Sequence, residues 1–298
     1  MSLAAFAQLV ALSALWGASF LFIRIASPLL GLSVLAGLRV GLATLALTAL
    51  MLLLGQRWPW ARWRGMLLLA LTAVALPFIL FAWAALHIPS TYSALINTAY
   101  VIFGCLFSAW LKVDTLSWRK LLGCAIGMLG IGLIVQLGPL VLTPQALLAC
   151  AAALLAAVCY GLAVPLTKRA LADLEPLPVA TATHLGSFVL LLPLALPALP
   201  RAQFTLPAVL ITALLGIITS ALAYWWMLRL MRNISSTAAM TPAFMIPIFG
   251  VLWGSLFLGE PLSLGMLGGA ALALIAVALI SELKFKPGDS QNDAAATP

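Results

Sequence analysis

The chain has 298 residues, 64% of them hydrophobic and only 7% charged, and carries a formal net charge of +8. Soluble domains hold roughly 25% charged residues, so this composition, with a mean hydropathy of +1.18, excludes a water-soluble globular protein. The positive excess does not point to nucleic acid, because the basic residues stand singly or in small groups between apolar runs instead of forming a phosphate-binding face.

A helix needs about 20 apolar residues to cross the hydrocarbon core. Ten such runs follow one another, at about 4–24, 33–54, 65–86, 91–111, 118–136, 144–166, 178–199, 206–228, 235–258 and 264–282. Turn residues punctuate them: Gly55-Gln56-Arg57-Trp58-Pro59, His87-Ile88-Pro89, Leu137-Gly138-Pro139, Asp173 to Pro178, Pro197 to Pro200, and Gly259-Glu260-Pro261. The first run has no basic start and is long for a secretory signal, so it reads as a retained first helix. The tail from Lys286 to Pro298 is polar and without aromatics, and reads as disordered.

Polar and aromatic residues at membrane depth are the candidates for contact with a solute. The first run offers Trp16. The second holds Arg39, a guanidinium that needs a partner: a substrate carboxylate, or backbone carbonyls in a structural tie. The third ends near Trp83. The fourth offers Tyr92, Asn97 and Tyr100, the last two on one helical face; Asn97 suits an amino-acid head group or an interhelical hydrogen bond. Tyr160 in the sixth run occupies the place of Trp16 in the first, and Lys168 that of Arg24. Both basic residues lie at helix ends and read as interface anchors or gate elements. Tyr224, Trp225 and Trp253 join Trp16, Trp83 and Tyr160 in a set of six that reads as core packing or lipid contact first and as an aromatic cage second. The ninth run carries Thr241, with Pro242 and Pro247. These two prolines free the carbonyls of Ala238 and Ala243 and mark either a moving bend or a static kink. Gly123 and Gly127 in the fifth run form a GxxxG step, for a dimer surface or for packing inside the bundle. Trp58, Trp60, Trp63 and Trp118 flank basic loops as interfacial anchors.

With the N-terminus in the cytoplasm, 12 of the 15 basic residues fall in inside connections, the exceptions being Arg24, Arg39 and Arg201. Both termini are therefore expected inside. The segment from Ile88 to Gly123 aligns without a gap on the segment 146 residues later, with 11 of 36 positions identical. With five spans per half, the second half enters the membrane upside down. The expected organisation is one repeat over 1–138, an inverted repeat over 139–285, and a cytoplasmic tail over 286–298, with a substrate site between the halves. All seven acidic residues lie at helix ends, in connections or in the tail, so no midplane carboxylate is available to carry protons or to bind cations. His184 in the seventh run is a proton carrier or a hydrogen-bonded structural histidine. Cys105, Cys124, Cys150 and Cys159 lack metal-ligand spacing, and neither metal nor cofactor is expected.

The stretch Ala14-Leu15-Trp16-Gly17-Ala18-Ser19-Phe20, the Leu38-Arg39-Val40 step, and the run from Ala238 through Pro247 to Gly259-Glu260-Pro261-Leu262 resemble EamA-type members of the drug/metabolite transporter superfamily. The chain departs from the family pattern at Val101, where members often carry Pro, and at Asp114, where they carry Glu. The resemblance implies a basket of ten helices with a cavity lined by the first, third, fourth, sixth, eighth and ninth. It also implies alternating access and export of small metabolites such as amino acids, and it favours a structural or gating role for Arg39. The function expected is amino-acid or amphipathic-solute export by a multi-pass protein of a bacterial inner membrane, with drug efflux or another solute-carrier activity as the alternative. Its partners would be a small-molecule solute and the bilayer, not nucleic acid, and its assembly a monomer or weak homodimer. No nucleophile with a base and no metal cluster supports an enzyme.

Overall fold

The computed structural model describes residues 1–84, 86–88, 90–136, 143–259 and 262–281. The expected connection at Leu137-Gly138-Pro139, together with Pro89, Glu260, Pro261 and the tail, lies outside the described residues. Ten helices are long and apolar enough to cross a membrane. They are α1 (Leu3–Leu30), α2 (Leu32–Leu53), α3 (Trp60–Phe81), α4 (Tyr92–Trp110), α5 (Trp118–Val135), α6 (Pro144–Asp173), α7 (Pro176–Arg201), α8 (Leu206–Met231), α9 (Ser236–Phe257) and α10 (Leu264–Ser281). The described residues contain no strand. Leucines such as Leu45, Leu53, Leu129, Leu256 and Leu264 stand exposed on the outside, where lipid accepts them and water would not.

Two helices run past the ends expected from the apolar pattern, α1 to Leu30 and α6 to Asp173. Basic residues near a helix C-terminus complement its dipole and reach the headgroup layer, so they do not stop a helix. At 1.5 Å per residue α1 is about 42 Å long, more than the ~30 Å hydrocarbon core requires.

Four spans carry a π-helical turn or a break in the helix. The helix of α3 passes through a π-helical turn at Leu71–Ala75 before continuing to Ala84, and α8 does so at Leu214–Leu222. The two turns overlap when the sequence is shifted by 146. In α9 the chain breaks at Met240 and Thr241. Pro242 then starts a new helix at its first position, where no backbone donor is needed. Pro247 lies inside that continuous stretch, Pro242–Leu258. In α4 the break falls at Ala99, between Ser90–Thr98 and Tyr100–Trp110, with no proline present. There the Thr98 hydroxyl donates to the Leu95 carbonyl at 2.6 Å, a local bond that competes with the helical ladder.

The principal contacts pair helices from the first five with helices from the second five. α1 packs on α9 as α6 packs on α4; α2 packs on α8 as α7 packs on α3; α5 lies along α10 and α2 along α7. The crossings correspond in detail. A Cβ on Gly17 in α1 would lie 2.6 Å from the Cβ of Phe249, and one on Gly161 in α6 would lie 2.6 Å from the Cβ of Phe103, which is 146 residues earlier. Only glycine admits backbones this close. Gly123 and Gly127 are covered by Ile280 of α10 and Phe244 of α9, so the GxxxG step is occupied by helices of the same chain. Phe244, Met240, Met245, Leu228 and Ile131 are fully buried along this seam.

Candidate functional site

The arrangement of the interior polar residues starts from Arg39. Its Nε donates to the Ser220 hydroxyl at 2.5 Å and its Nη2 to the Thr219 hydroxyl at 3.5 Å. Thr219 and Ser220 lie in the π-helical turn of α8. That turn shifts backbone bonding from the usual i→i−4 partner to one residue further back, which leaves room for an outside donor. The Thr219 carbonyl takes one: the Trp16 indole nitrogen donates to it at 2.9 Å. Trp16 from α1 and Arg39 from α2 thus converge on one hydroxyl pair in α8. The three described carboxylates, Asp114, Asp173 and Glu175, belong to connections and helix ends, where each is paired with a basic residue. Among the described residues, Arg39 therefore has neutral hydrogen-bond partners only, an arrangement that draws an anionic group.

A second group forms around Tyr160. The Tyr160 ring of α6 meets Tyr100 edge-on at 6.1 Å and stacks on Phe81 at 6.2 Å. The Tyr100 hydroxyl donates to the Met240 carbonyl at 3.2 Å, and so ties the break of α4 to the break of α9. Asn97, one turn before Tyr100, has a buried Oδ1 with no hydrogen-bond partner.

Of the residues singled out from sequence, Trp16 and Arg39 therefore come together on α8, and Tyr100 and Tyr160 come together on each other. The others are placed apart. Tyr224 meets His184 edge-on at 4.9 Å, and its hydroxyl lies near those of Thr167 and Thr183. His184 is buried, with Nδ1 donating to the Ala180 carbonyl at 3.0 Å. Thr241 is fully buried, and its hydroxyl donates to the Ala238 carbonyl at 2.8 Å; the carbonyl opened by Pro242 is satisfied within its own helix. Trp83 meets the His87 ring at a tilt, 4.5 Å between centroids. Trp225 carries the Arg229 guanidinium 5.3 Å above its ring, and Trp253 donates to the Ala14 carbonyl at 3.0 Å. The six aromatics do not form one cage, because the indoles of Trp16 and Trp253 are spent on separate backbone carbonyls. Sequence reasoning missed Thr219, Ser220 and Phe81. The adjacent hydroxyls of Thr219 and Ser220 inside an apolar run were a usable signal; Phe81 had none.

The end of the bundle that carries most of the basic residues is tied across. Lys168 of α6 donates to the carbonyls of Met231 and Ile234, and Arg169 to that of Leu111. Asp114 accepts from the backbone and hydroxyl of Thr237 at the start of α9, at 3.0 and 2.7 Å, and from Lys120 at 2.9 Å. Arg232 pairs with Glu175 at 3.1 Å, and Arg62 with Asp173 at 2.8 Å. All three salt bridges among the described residues lie at this end.

Comparison with known proteins bears on this arrangement. The model of the EamA-like transporter family matches twice, over residues 4–136 and 147–282. A protein of Streptantibioticus cattleyicolor named "Probable terminal-alkyne amino-acid exporter" is 29% identical over 271 residues, which cover 89% of each chain. An "Uncharacterized transporter" of Archaeoglobus fulgidus is 23% identical over 270 residues, covering 89% of this chain and 94% of its own. A solved crystal structure that is 17% identical superposes with a TM-score of 0.80, over 94% of this chain and 96% of that one, which shows a shared fold.

Proposed function

From the premise that this chain belongs to the EamA-like transporter family, and is thus a multi-pass membrane transporter of small solutes, we propose that it exports amino acids or related amphipathic solutes. It does so across a bacterial inner membrane by alternating access between two inverted repeats, with both termini in the cytoplasm. The carrying observation is Arg39: a guanidinium at membrane depth that, among the described residues, has no carboxylate partner and is held by the hydroxyls of Ser220 and Thr219. In this reading a substrate carboxylate docks on Arg39, and Trp16, Tyr100 and Tyr160 line its apolar part. Asn97 supplies an acceptor for an ammonium group. Tyr224, Trp83 and Thr241 belong to the surrounding helices. The break at Met240–Thr241, set by Pro242, is the joint that moves, and Pro247, which leaves the Ala243 carbonyl without its helical donor, is a second bend beyond it.

Three further observations support the reading. The pairings of α1 with α9 and of α6 with α4 exchange under the repeat shift, as an inverted duplication requires. The ties at the basic end are what a gate closed on the cytoplasmic side would need. The printed name of the Streptantibioticus relative favours an amino-acid solute over a drug-like cation, and an uncompensated Arg39 repels cations. Transport runs on the solute's own gradient, because no described carboxylate lies in the interior and His184 is held by the Ala180 carbonyl.

A counterflow screen of the common amino acids in proteoliposomes, with cationic dyes as the contrasting class, tests the proposal. Exchange is expected for a subset of amino acids and is unchanged by an imposed pH gradient. Arg39→Ala lowers apparent affinity about tenfold to a hundredfold, the worth of one hydrogen bond to a charged group. Exchange of dyes alone, or a strict need for a pH gradient, would overturn it. If Ser220→Ala with Thr219→Val reproduces the whole Arg39→Ala loss, Arg39 acts as a tie to α8 and not as the carboxylate ligand.

A further inference from the structure

A crevice of about 400 Å³ opens between the start of α3 and the end of α6, at the end of the bundle that carries most of the basic residues, and none of the interior residues described above lines it. Its floor and walls are apolar, from Leu68, Leu69 and Leu166, and its mouth carries Arg62, Arg169 and Asp173. Arg62 gives one N–H to Asp173 at 2.8 Å, and Arg169 gives one to the Leu111 carbonyl. Each guanidinium has five N–H donors, so both retain several, and the mouth has one more positive charge than negative. Trp60 and Trp63 stand exposed beside it, with the Arg64 guanidinium 5.5 Å above the Trp63 ring. Exposed tryptophans mark the headgroup level of a bilayer. The mouth therefore lies where lipid phosphates lie, and the apolar walls lie where acyl chains begin.

We infer that this crevice is a binding site for one anionic phospholipid, its phosphate on Arg62 and Arg169 and its acyl chain along Leu68 and Leu166. Charge complementarity selects the occupant: a basic pocket between transmembrane helices fits an anionic head group, and a planar guanidinium pairs phosphate oxygens in bidentate fashion. A bound lipid here bridges α3 to α6 beside the ties that close this end of the bundle. The inference does not depend on the identity of the transported solute.

Native mass spectrometry of the delipidated full-length protein in detergent provides the test, with phosphatidylglycerol, phosphatidylcholine and inorganic phosphate as probes. One phosphatidylglycerol is expected to be retained at about a tenth of the concentration that phosphatidylcholine requires, a preference worth about 1.4 kcal/mol. Arg62→Gln with Arg169→Gln should abolish the preference, whereas Arg119→Gln, a basic change outside the crevice, should leave it. Should the double variant fail to fold, Gly65→Phe decides. A Cβ on Gly65 meets nothing within 4 Å, so the ring fills the crevice without a backbone clash and should exclude the lipid. Equal retention of both lipids, retention undiminished in the crevice variants, or displacement of the lipid by millimolar inorganic phosphate would each overturn the assignment; the last would mark a site for a free anion.

Discussion

Asp114 is the one described carboxylate drawn out of solvent, with 11% of its side chain exposed. Burial by itself pushes its pKa up. Hydrogen bonds from Thr237, Lys120 and Thr115 favour the ionised form and outweigh burial, so the net pKa lies below the ordinary carboxylate value. A group whose pKa is depressed on folding contributes stability above its unfolded pKa, near 3.9. That stability is lost as pH falls through the folded value. Melting followed by tryptophan fluorescence should therefore show the wild type losing stability below about pH 4. Asp114→Asn should be less stable at neutral pH and should have a flatter acid limb. Parallel curves for the two proteins would show that the Asp114 charge does not hold α9 to the α4–α5 connection. The same residue scale separates the two tyrosines of the interior. Tyr100 spends its hydroxyl on the Met240 carbonyl, while Tyr160 is engaged through its ring, by Phe81 and Tyr100.

Between elements, the seam of α5 and α10 decides how closely the bundle closes. A Cβ on Gly130 would lie 2.7 Å from the Gly269 carbonyl oxygen and 2.9 Å from the Ala273 nitrogen. Both are backbone atoms, which cannot rotate away. Gly130→Ala must push the helices apart and should cost about 1–3 kcal/mol as overpacking. On the same seam's outer side, a Cβ on Gly268 meets nothing within 4 Å, so Gly268→Ala should hold or raise the melting temperature through better helix propensity, worth up to about 1 kcal/mol. Equal melting temperatures for the two variants in detergent would show that α5 and α10 separate freely. The π-helical turn of α8 belongs to this scale as well. It persists because donors from two other helices, the Trp16 indole and the Arg39 guanidinium, engage the residues it presents.

For the molecule as a whole, the proposed inversion has a direct measurement. Trp118 begins α5 and Leu264 begins α10, both are exposed, and they are 146 residues apart. An inverted duplication places these equivalent residues on opposite faces of the membrane. A membrane-impermeant maleimide applied to intact cells should label Leu264→Cys and spare Trp118→Cys until the membrane is opened. The unmodified chain, whose cysteines are buried or half-buried, serves as the baseline. Labelling of both positions from one side would rule out the inversion.

The ten spans, the internal duplication and the short list of interior polar residues were legible in the sequence. A membrane helix must satisfy its backbone within its own segment and match the bilayer's thickness, and both demands act on neighbouring residues. For the same reason the break before Pro242 was readable, since proline removes a donor locally. The break at Ala99 had no such mark. Neither did the π-helical turns, the partnership of Arg39 with Ser220 across 181 residues of sequence, or the stacking of Phe81 on Tyr160. Those depend on which helix crosses which. Helices packed in lipid choose their crossings by the fit of small residues and by pairing of polar groups brought from distant segments, so the meeting of Trp16 with Arg39 on α8, and of Tyr100 with Tyr160, was decided by the tertiary structure alone.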